Sequence, residues 1–151
     1  MFTKNKNRAL IAVAALSLLC FLALAYSRNC FNGVNSTVNL WAASIQTQTL
    51  TPIASGINFF DTTFFLLVSL PVAGFFIYRA QTQSGIMLLG AMGADALMLY
   101  ITKTVIVSPR PLNSLIVEGD YSFPSGHVVS ALVFVGMLTY FAWQNKKTIL
   151  K

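Results

Sequence analysis

Long runs of mostly apolar residues, with at most one charged residue each, alternate with more polar segments along the chain. The runs cover residues 9–26, 57–78, 86–102 and 128–143. Helices of this length, with a rise of about 1.5 Å per residue, approach the thickness of a bilayer's hydrocarbon core, about 30 Å. The pattern therefore predicts an all-α, polytopic membrane helix bundle. We expect about four transmembrane helices in a single membrane domain over residues 1–151.

The composition supports this interpretation. Hydrophobic residues make up 56% of the chain and charged residues 9%, whereas soluble domains are about 25% charged. This excludes a disordered chain and argues against a soluble domain. A net charge of +6 in a soluble protein would suggest nucleic-acid binding. Here the charges flank the apolar runs, so we expect them to set membrane topology and expect no nucleic-acid partner.

Most positive charges fall on one side of a four-span arrangement. Seven of the ten Lys and Arg residues lie there: Lys4, Lys6, Arg8, Arg79, Lys146, Lys147 and Lys151. By the positive-inside rule this side is cytoplasmic, which predicts an integral plasma-membrane protein with its N-terminus inside the cell. Arg28, Lys103 and Arg110 fall on the outer side, and the last two belong to the segment described below.

The N-terminal part of the chain leaves two alternatives open. The basic residues 4–8, the apolar run and the sequence Ala23-Leu24-Ala25 also suit a signal peptide, although the run is long for a signal core. In both interpretations the chain beyond residue 27 lies outside. The segment 27–56 forms either a helix in the membrane interface or a solvated loop. Helical spacing of four apolar residues supports the helix: Val34, Val38, Trp41 and Ile45.

Several residues inside the runs carry structural expectations. Pro71 removes a backbone donor, so we expect a kink there. Gly90, Gly93 and Ala94 are small enough to let membrane helices approach closely. Asp95 lies about 12 Å down a helix from Lys103, too deep to touch a ligand held by that lysine. We expect it to be an interhelical hydrogen-bond partner.

Asp61, near the outer end of its run, has two possible roles. Its carboxylate is within reach of Lys103 or Arg110 if the outer ends of the helices meet, or it faces interfacial water. Ionisable groups in membrane spans are costly and often functional. We nevertheless predict a catalytic role for neither Asp61 nor Asp95.

The outer segment 103–127 carries the chemistry. Lys103 lies where the third run meets water, and Arg110 is flanked by Pro109 and Pro111, which bar a regular helix and favour an extended turn. Such a turn can bring both cations to one point. The lysine supplies a compact charge, and the arginine supplies a planar fork of donors for phosphate oxygens.

The same segment ends in Pro124-Ser125-Gly126-His127, directly before the fourth run. Ser125 suits an N-cap position, and Gly126 permits close approach of a ligand to the backbone. The unpaired N–H groups of a helix start form an anion site. His127, the single histidine of the chain, can hold or release a proton near neutral pH.

Together these residues predict a site for a phosphate whose attached lipid lies in the bilayer. Each part also has a simpler structural explanation. Lys103 suits a membrane-surface anchor whose ammonium reaches water, and His127 suits a helix cap. Arg110 suits a salt bridge with Glu118 or Asp120.

The segment resembles a known family. K-x-x-x-x-x-x-R-P (Lys103 to Pro111), followed by P-S-G-H (Pro124 to His127), is similar to the first two signature motifs of the type-2 phosphatidic acid phosphatases, relatives of the vanadium haloperoxidases. The resemblance implies that Lys103 and Arg110 bind phosphate and that Ser125 and Gly126 donate hydrogen bonds to it. It implies that His127 protonates the leaving oxygen. It also implies phosphatase action on a phosphorylated lipid without a metal or other cofactor.

The family's third motif, S-R-x-x-x-x-x-H-x-x-x-D, supplies a nucleophilic histidine and does not occur in these 151 residues. We therefore expect the N-terminal part of a six-span domain, or a naturally short form. The leading hypothesis is a lipid phosphatase of the phosphohistidine type, acting on phosphatidic acid, phosphatidylglycerol phosphate or undecaprenyl diphosphate. The alternatives are a non-catalytic protein that binds phosphorylated lipid headgroups, a site completed by another chain, and a purely structural membrane protein.

Overall fold

A computed structural model of the protein describes residues 2–110, 119 and 121–149. These residues form helices and contain no strand: α1 (Phe2–Ser27), α2 (Asn32–Ser44), α3 (Leu50–Ile57), α4 (Thr62–Tyr78), α5 (Thr82–Ile106) and α6 (Gly126–Ile149). The all-α prediction is confirmed. The chain divides into two compact units, Met1–Gln46 and Thr47–Lys151, and the single-domain organisation stays a prediction.

The first unit consists of α1, a short 3-10 helix (Arg28–Phe31) and α2. The sequence left residues 27–56 as either an interfacial helix or a solvated loop. In the structure, Asn32–Ser44 form a helix. Val34, Val38 and Trp41 are exposed on this helix. Exposed apolar side chains suit a lipid or interfacial environment, and the interfacial position stays a prediction.

The second apolar run is divided between two helices. α3 and α4 differ in direction by 53°, and residues 58–61 form the turn between them. The Asp61 carboxylate accepts the N–H of Phe64 at 2.8 Å and so caps the start of α4, which satisfies one of the unpaired donors there. The sharp change of direction therefore lies before α4, while α4 continues as one helix through Pro71.

α4 and α5 approach each other closely at Gly85. A Cβ atom there would lie 2.8 Å from the Ala73 carbonyl oxygen, so a larger residue does not fit without movement. Among the described residues, Gly90 and Gly93 have no atom within 4 Å of the same position, so α5 does not use these two glycines to pack against α4 or α6. They lie on the exposed face of α5, opposite the face that packs on its neighbours.

The core of the second unit lies between α4, α5 and α6. Its buried apolar side chains are Ala73, Leu88, Met92, Phe134 and Phe141. Two aromatic pairs join α4 to α6, with ring centroids 5.6 Å apart for Phe65 and Phe134 and 5.2 Å apart for Phe76 and Phe141. Such edge and tilted contacts stabilise packing beyond the area that they bury.

Many large apolar side chains remain outside this core, and the helices have the lengths expected for membrane spans. Within the part of the chain that the structure describes, three helical segments are long and apolar enough to cross a bilayer: Asn7–Ser27, Thr82–Ile106 and Gly126–Gln144. The bent pair of α3 and α4 makes four if it counts as one span. Exposed leucine, valine and phenylalanine on such helices suit contact with lipid. The helices indicate an integral membrane protein.

The packing of α4 on α5 predicts that alanine substitutions at two glycines of α5 change the free energy of unfolding differently. Gly85→Ala places a methyl group against the Ala73 carbonyl and should lower the free energy of unfolding by about 1–3 kcal/mol. The methyl group of Gly90→Ala enters open space. This substitution should leave the free energy of unfolding unchanged or raise it by up to about 1 kcal/mol. Unfolding by SDS in detergent micelles, followed by circular dichroism, measures both. Equal midpoints for the two variants would contradict the packing described here.

Candidate functional site

One end of the second unit contains a cavity of about 530 Å³, within the usual range of small-ligand sites, about 300–1,000 Å³. The start of α4, the end of α5 and the start of α6 meet there. Its lining residues are predominantly polar: Asn58, Asp61, Thr62, Thr63, Lys103, Arg110, Gly119, Ser122, Ser125, Gly126 and His127.

The cavity brings together the residues singled out in the sequence for binding and chemistry: Lys103, Arg110, Ser125, Gly126 and His127. Lys103 lies in the last turn of α5, where a cation faces the negative end of the helix dipole. Pro124 is buried beside these residues. Pro111 lies outside the described residues, as do Glu118 and Asp120, the carboxylates considered as partners of Arg110.

A serine pair fastens the two ends of the outer segment. The Ser122 N–H donates to the Ser108 carbonyl at 2.9 Å. The Ser122 hydroxyl lies 3.0 Å from both the Ser108 hydroxyl and the Pro109 carbonyl. These hydrogen bonds, here called the serine clasp, hold residues 108–109 beside Ser122. They therefore bring Arg110 and Ser125, which are distant in sequence, to the same cavity. The sequence contains no periodicity that would reveal it.

His127 is held by the turn between α3 and α4. Its Nε2 atom lies 3.0 Å from the Asn58 carbonyl oxygen. Because a carbonyl oxygen accepts only, Nε2 carries the hydrogen in this contact and Nδ1 is the other ring nitrogen available for bonding. Asn58 was not predicted as a site residue, since nothing in its local sequence points to α6.

The starts of two helices, α4 and α6, lie at the cavity. The Ser125 carbonyl accepts the N–H of Val129 at 3.1 Å, which places Ser125 at the N-cap position of α6. Thr62 is the first residue of α4. The first-turn N–H groups of a helix and the positive end of its dipole favour an anion. Lys103 and Arg110 add two positive charges, and Asp61 adds a negative charge near the start of α4.

Gly126 has a packing role that the sequence did not suggest. A Cβ atom at this position would lie 2.6 Å from the Thr62 hydroxyl oxygen, closer than any normal contact. The absence of a side chain lets the start of α6 lie directly against the start of α4. Close approach of a ligand was the expected reason for this glycine, and close approach of Thr62 is a second one.

Beneath the cavity, a short chain of hydrogen bonds crosses three helices. Ser130 on α6 is fully buried. Its hydroxyl lies 2.6 Å from Asp95 Oδ2 on α5 and 3.0 Å from the Thr62 hydroxyl on α4. The prediction that Asp95 is an interhelical hydrogen-bond partner is confirmed. Ser130 and Thr62 were missed because neither stands out in an apolar run.

Within the described part of the chain, no three His, Cys, Asp or Glu residues are grouped closely enough to hold a metal ion. The groups that line the cavity include two cations, several hydroxyls, one imidazole and the Asp61 carboxylate. Such donors suit an oxyanion, phosphate above all, whose oxygens accept several hydrogen bonds at once.

The fold and the cavity thus define a helical membrane protein with a polar cavity, lined by two cations, at the ends of its helices. The chain is 30% identical over 132 residues to Phosphatidylglycerophosphatase B of Bacillus subtilis (strain 168). The match covers 85% of this chain and 64% of that protein, so the chain spans somewhat less than two thirds of the relative's length. No family model and no solved structure matches the chain. The similarity supports a lipid phosphatase family.

The contact between Gly126 and Thr62 predicts a coupled pair of substitutions. Gly126→Ala should lower the free energy of unfolding by about 1–3 kcal/mol, because its methyl group meets the Thr62 hydroxyl. In the Thr62→Ala background this obstacle is gone, so the double variant should be more stable than the sum of the single effects predicts. Unfolding by SDS in micelles measures all four proteins. Strict additivity of the two substitutions would rule out the contact.

Proposed function

We propose that the cavity binds the phosphate group of a membrane lipid and that the protein is a lipid-phosphate phosphatase. One observation carries the proposal. Lys103, Arg110 and the start of α6 with His127 line the same cavity, although Lys103 and His127 are 24 positions apart in the sequence. The similarity to a phosphatidylglycerophosphatase over most of the chain supports it independently.

Each group has a role that follows from its chemistry. The Lys103 ammonium and the Arg110 guanidinium pair with phosphate oxygens, the second in a bidentate manner. Ser125 and the backbone N–H groups at Gly126 donate hydrogen bonds to the same oxygens. His127, in the first turn of α6, protonates the leaving oxygen as the phosphorus–oxygen bond breaks.

The position of the cavity favours a lipid over a free phosphate ester. It lies at the ends of apolar helices, where a headgroup at the membrane surface would meet it while the acyl chains lie along the exposed apolar faces. We take phosphatidylglycerol phosphate as the first substrate to test, because of the name of the similar protein. Phosphatidic acid and undecaprenyl diphosphate, which also end in a phosphate group, are the other two substrates to test.

Charge distribution supports an outer location for the cavity. α4 and α6 both begin at the cavity and end on the opposite side. Arg79 follows α4, and the sequence places Lys146 and Lys147 in the last part of α6. By the positive-inside rule the opposite side is cytoplasmic, which puts the cavity on the outer face of the plasma membrane.

The single histidine of the sequence limits the chemistry that these 151 residues can perform without another group. A phosphohistidine mechanism uses one imidazole to attack phosphorus and another group to protonate the leaving oxygen. The chain holds one histidine, so the nucleophile must come from outside these 151 residues. The same observation favours a second candidate function, in which the protein binds phosphorylated lipid headgroups without hydrolysing them.

Calorimetric titration of the purified chain in dodecyl maltoside micelles tests binding. We expect dioctanoyl phosphatidylglycerol phosphate to bind, and dioctanoyl phosphatidylglycerol, which lacks the phosphate monoester, to bind far less. Arg110→Ala should weaken binding by about tenfold or more, because it removes charge-assisted hydrogen bonds. Arg79→Ala is the matched control, since Arg79 is exposed at the far end of α4 and should have no effect.

Release of inorganic phosphate from the same samples separates the two candidate functions. Release that His127→Ala abolishes would support hydrolysis. Binding without release, both by these 151 residues and by a chain extended through any downstream coding sequence, would support the non-catalytic alternative. Equal binding of the two lipids, or equal effects of Arg110→Ala and Arg79→Ala, would contradict both functions.

Asp61 and Arg110 carry opposite charges into one cavity, so their substitutions should act in opposite directions. Asp61→Asn keeps an N-cap acceptor for the Phe64 N–H and removes a negative charge near the bound phosphate. We expect several-fold tighter binding of dioctanoyl phosphatidylglycerol phosphate at low ionic strength, and a smaller gain as salt is added. Weaker binding by Asp61→Asn, with the unfolding midpoint unchanged, would show that the phosphate does not lie near this carboxylate.

A further inference from the structure

In the hydrogen bonds beneath the cavity, the donor and acceptor roles of Asp95, Ser130 and Thr62 depend on one another. Ser130 lies within bonding distance of both Asp95 (2.6 Å) and Thr62 (3.0 Å). A hydroxyl group carries one proton and can donate only one hydrogen bond at a time. Ser130 therefore donates either to Asp95 or to Thr62, and its choice determines what the Thr62 hydroxyl does.

Two arrangements satisfy these contacts. In the first, Asp95 is a carboxylate that accepts from Ser130, and Thr62 uses its own proton on the Ser130 oxygen. The lone pairs of Thr62 are then all that it offers to the cavity. In the second, Asp95 carries a proton and donates to Ser130, and Ser130 donates to Thr62. The Thr62 proton is then free to bind an acceptor in the cavity.

The position of Thr62 makes this difference relevant to a ligand. Its hydroxyl lies against Gly126 at the start of α6, and Thr62 itself lines the cavity. Phosphate oxygens accept hydrogen bonds and do not tolerate lone pairs directed at them. An anion bound at the start of α6 therefore favours an arrangement in which Thr62 donates to it.

Resting on the proposed function, we propose that Thr62 donates a hydrogen bond to the bound phosphate, and that Ser130 and Asp95 are positioning residues that set Thr62 as a donor. Asp95 acts through the two hydroxyls and does not touch the ligand. The other charged or titratable groups that line the cavity in the described part of the chain are Asp61 on the turn before α4, Lys103 on α5, Arg110 after α5 and His127 on α6.

Substitutions at Thr62 test the direct contact. Thr62→Val keeps the side-chain shape without the hydroxyl, and should weaken binding of dioctanoyl phosphatidylglycerol phosphate by about tenfold or more. Thr62→Ser restores the hydroxyl and should recover most of the affinity. The matched control is Thr139→Val, because the Thr139 hydroxyl bonds the Val135 carbonyl of its own helix. It should bind as the unchanged chain does.

Asp95→Asn tests the direction of the chain. The asparagine amide can donate permanently to Ser130, so this variant should bind the phosphorylated lipid as tightly as the unchanged chain or several-fold more tightly. The gain should vanish in the Thr62→Val background, because Asp95 acts through Thr62. A purely structural role for Asp95 would not produce this dependence.

The outcomes distinguish this inference from the function on which it rests. If Arg110→Ala weakens binding and Thr62→Val does not, the cavity binds phosphate and Thr62 is not a ligand. A gain from Asp95→Asn that persists with Thr62→Val, or weakened binding by Asp95→Asn in a chain with unchanged circular dichroism, overturns the positioning role. No binding by the unchanged chain overturns both the function and the inference. Circular dichroism and gel filtration of every variant identify loss of fold.

Discussion

The packing of the helices in the second unit depends on the hydrogen bonds of the Ser130 hydroxyl group. It is fully buried and lies within hydrogen-bond distance of side chains from the two neighbouring helices. Among apolar helices there is little hydrophobic driving force for one particular packing, because lipid solvates an apolar side chain as well as a neighbouring helix does. A buried carboxyl and two hydroxyls can satisfy their hydrogen bonds only in one relative position of the helices. The polar contact therefore selects the arrangement that brings three helix ends together.

The cavity follows from that arrangement. With Thr62 held against Gly126, the starts of α4 and α6 lie side by side and both line the cavity. The end of α5 supplies Lys103, and the serine clasp at Ser108 and Ser122 brings in Arg110. An oxyanion placed there would meet positive charge from side chains and from helix dipoles together. The apolar outer faces of the same helices would hold the lipid that carries it.

The sequence predicted the parts of this structure that depend on local pattern. Hydrophobic run lengths predicted an all-helical membrane protein, and the chemistry of Lys103, Arg110 and His127 pointed to phosphate before any geometry was known. Predictions that depend on which face of a helix packs were less successful. α5 is apolar on all sides, so its sequence does not show that Gly85 faces α4 and that Gly90 and Gly93 face outward. Asn58 and Ser130 were missed for the same reason, since their importance arises from contacts with residues 69 and 35 positions away.

The central claim is that the phosphate of a membrane lipid lies between the cations and the start of α6. Distances between nitrogen and phosphorus, measured by solid-state NMR on an isotope-labelled chain in bilayers containing phosphatidylglycerol phosphate, test this directly. We expect the phosphorus to lie within hydrogen-bonding reach of Lys103 Nζ, the Arg110 guanidinium and the backbone nitrogen of Gly126. Phosphorus found near Lys146 and Lys147 instead, or near none of these nitrogens, would contradict it.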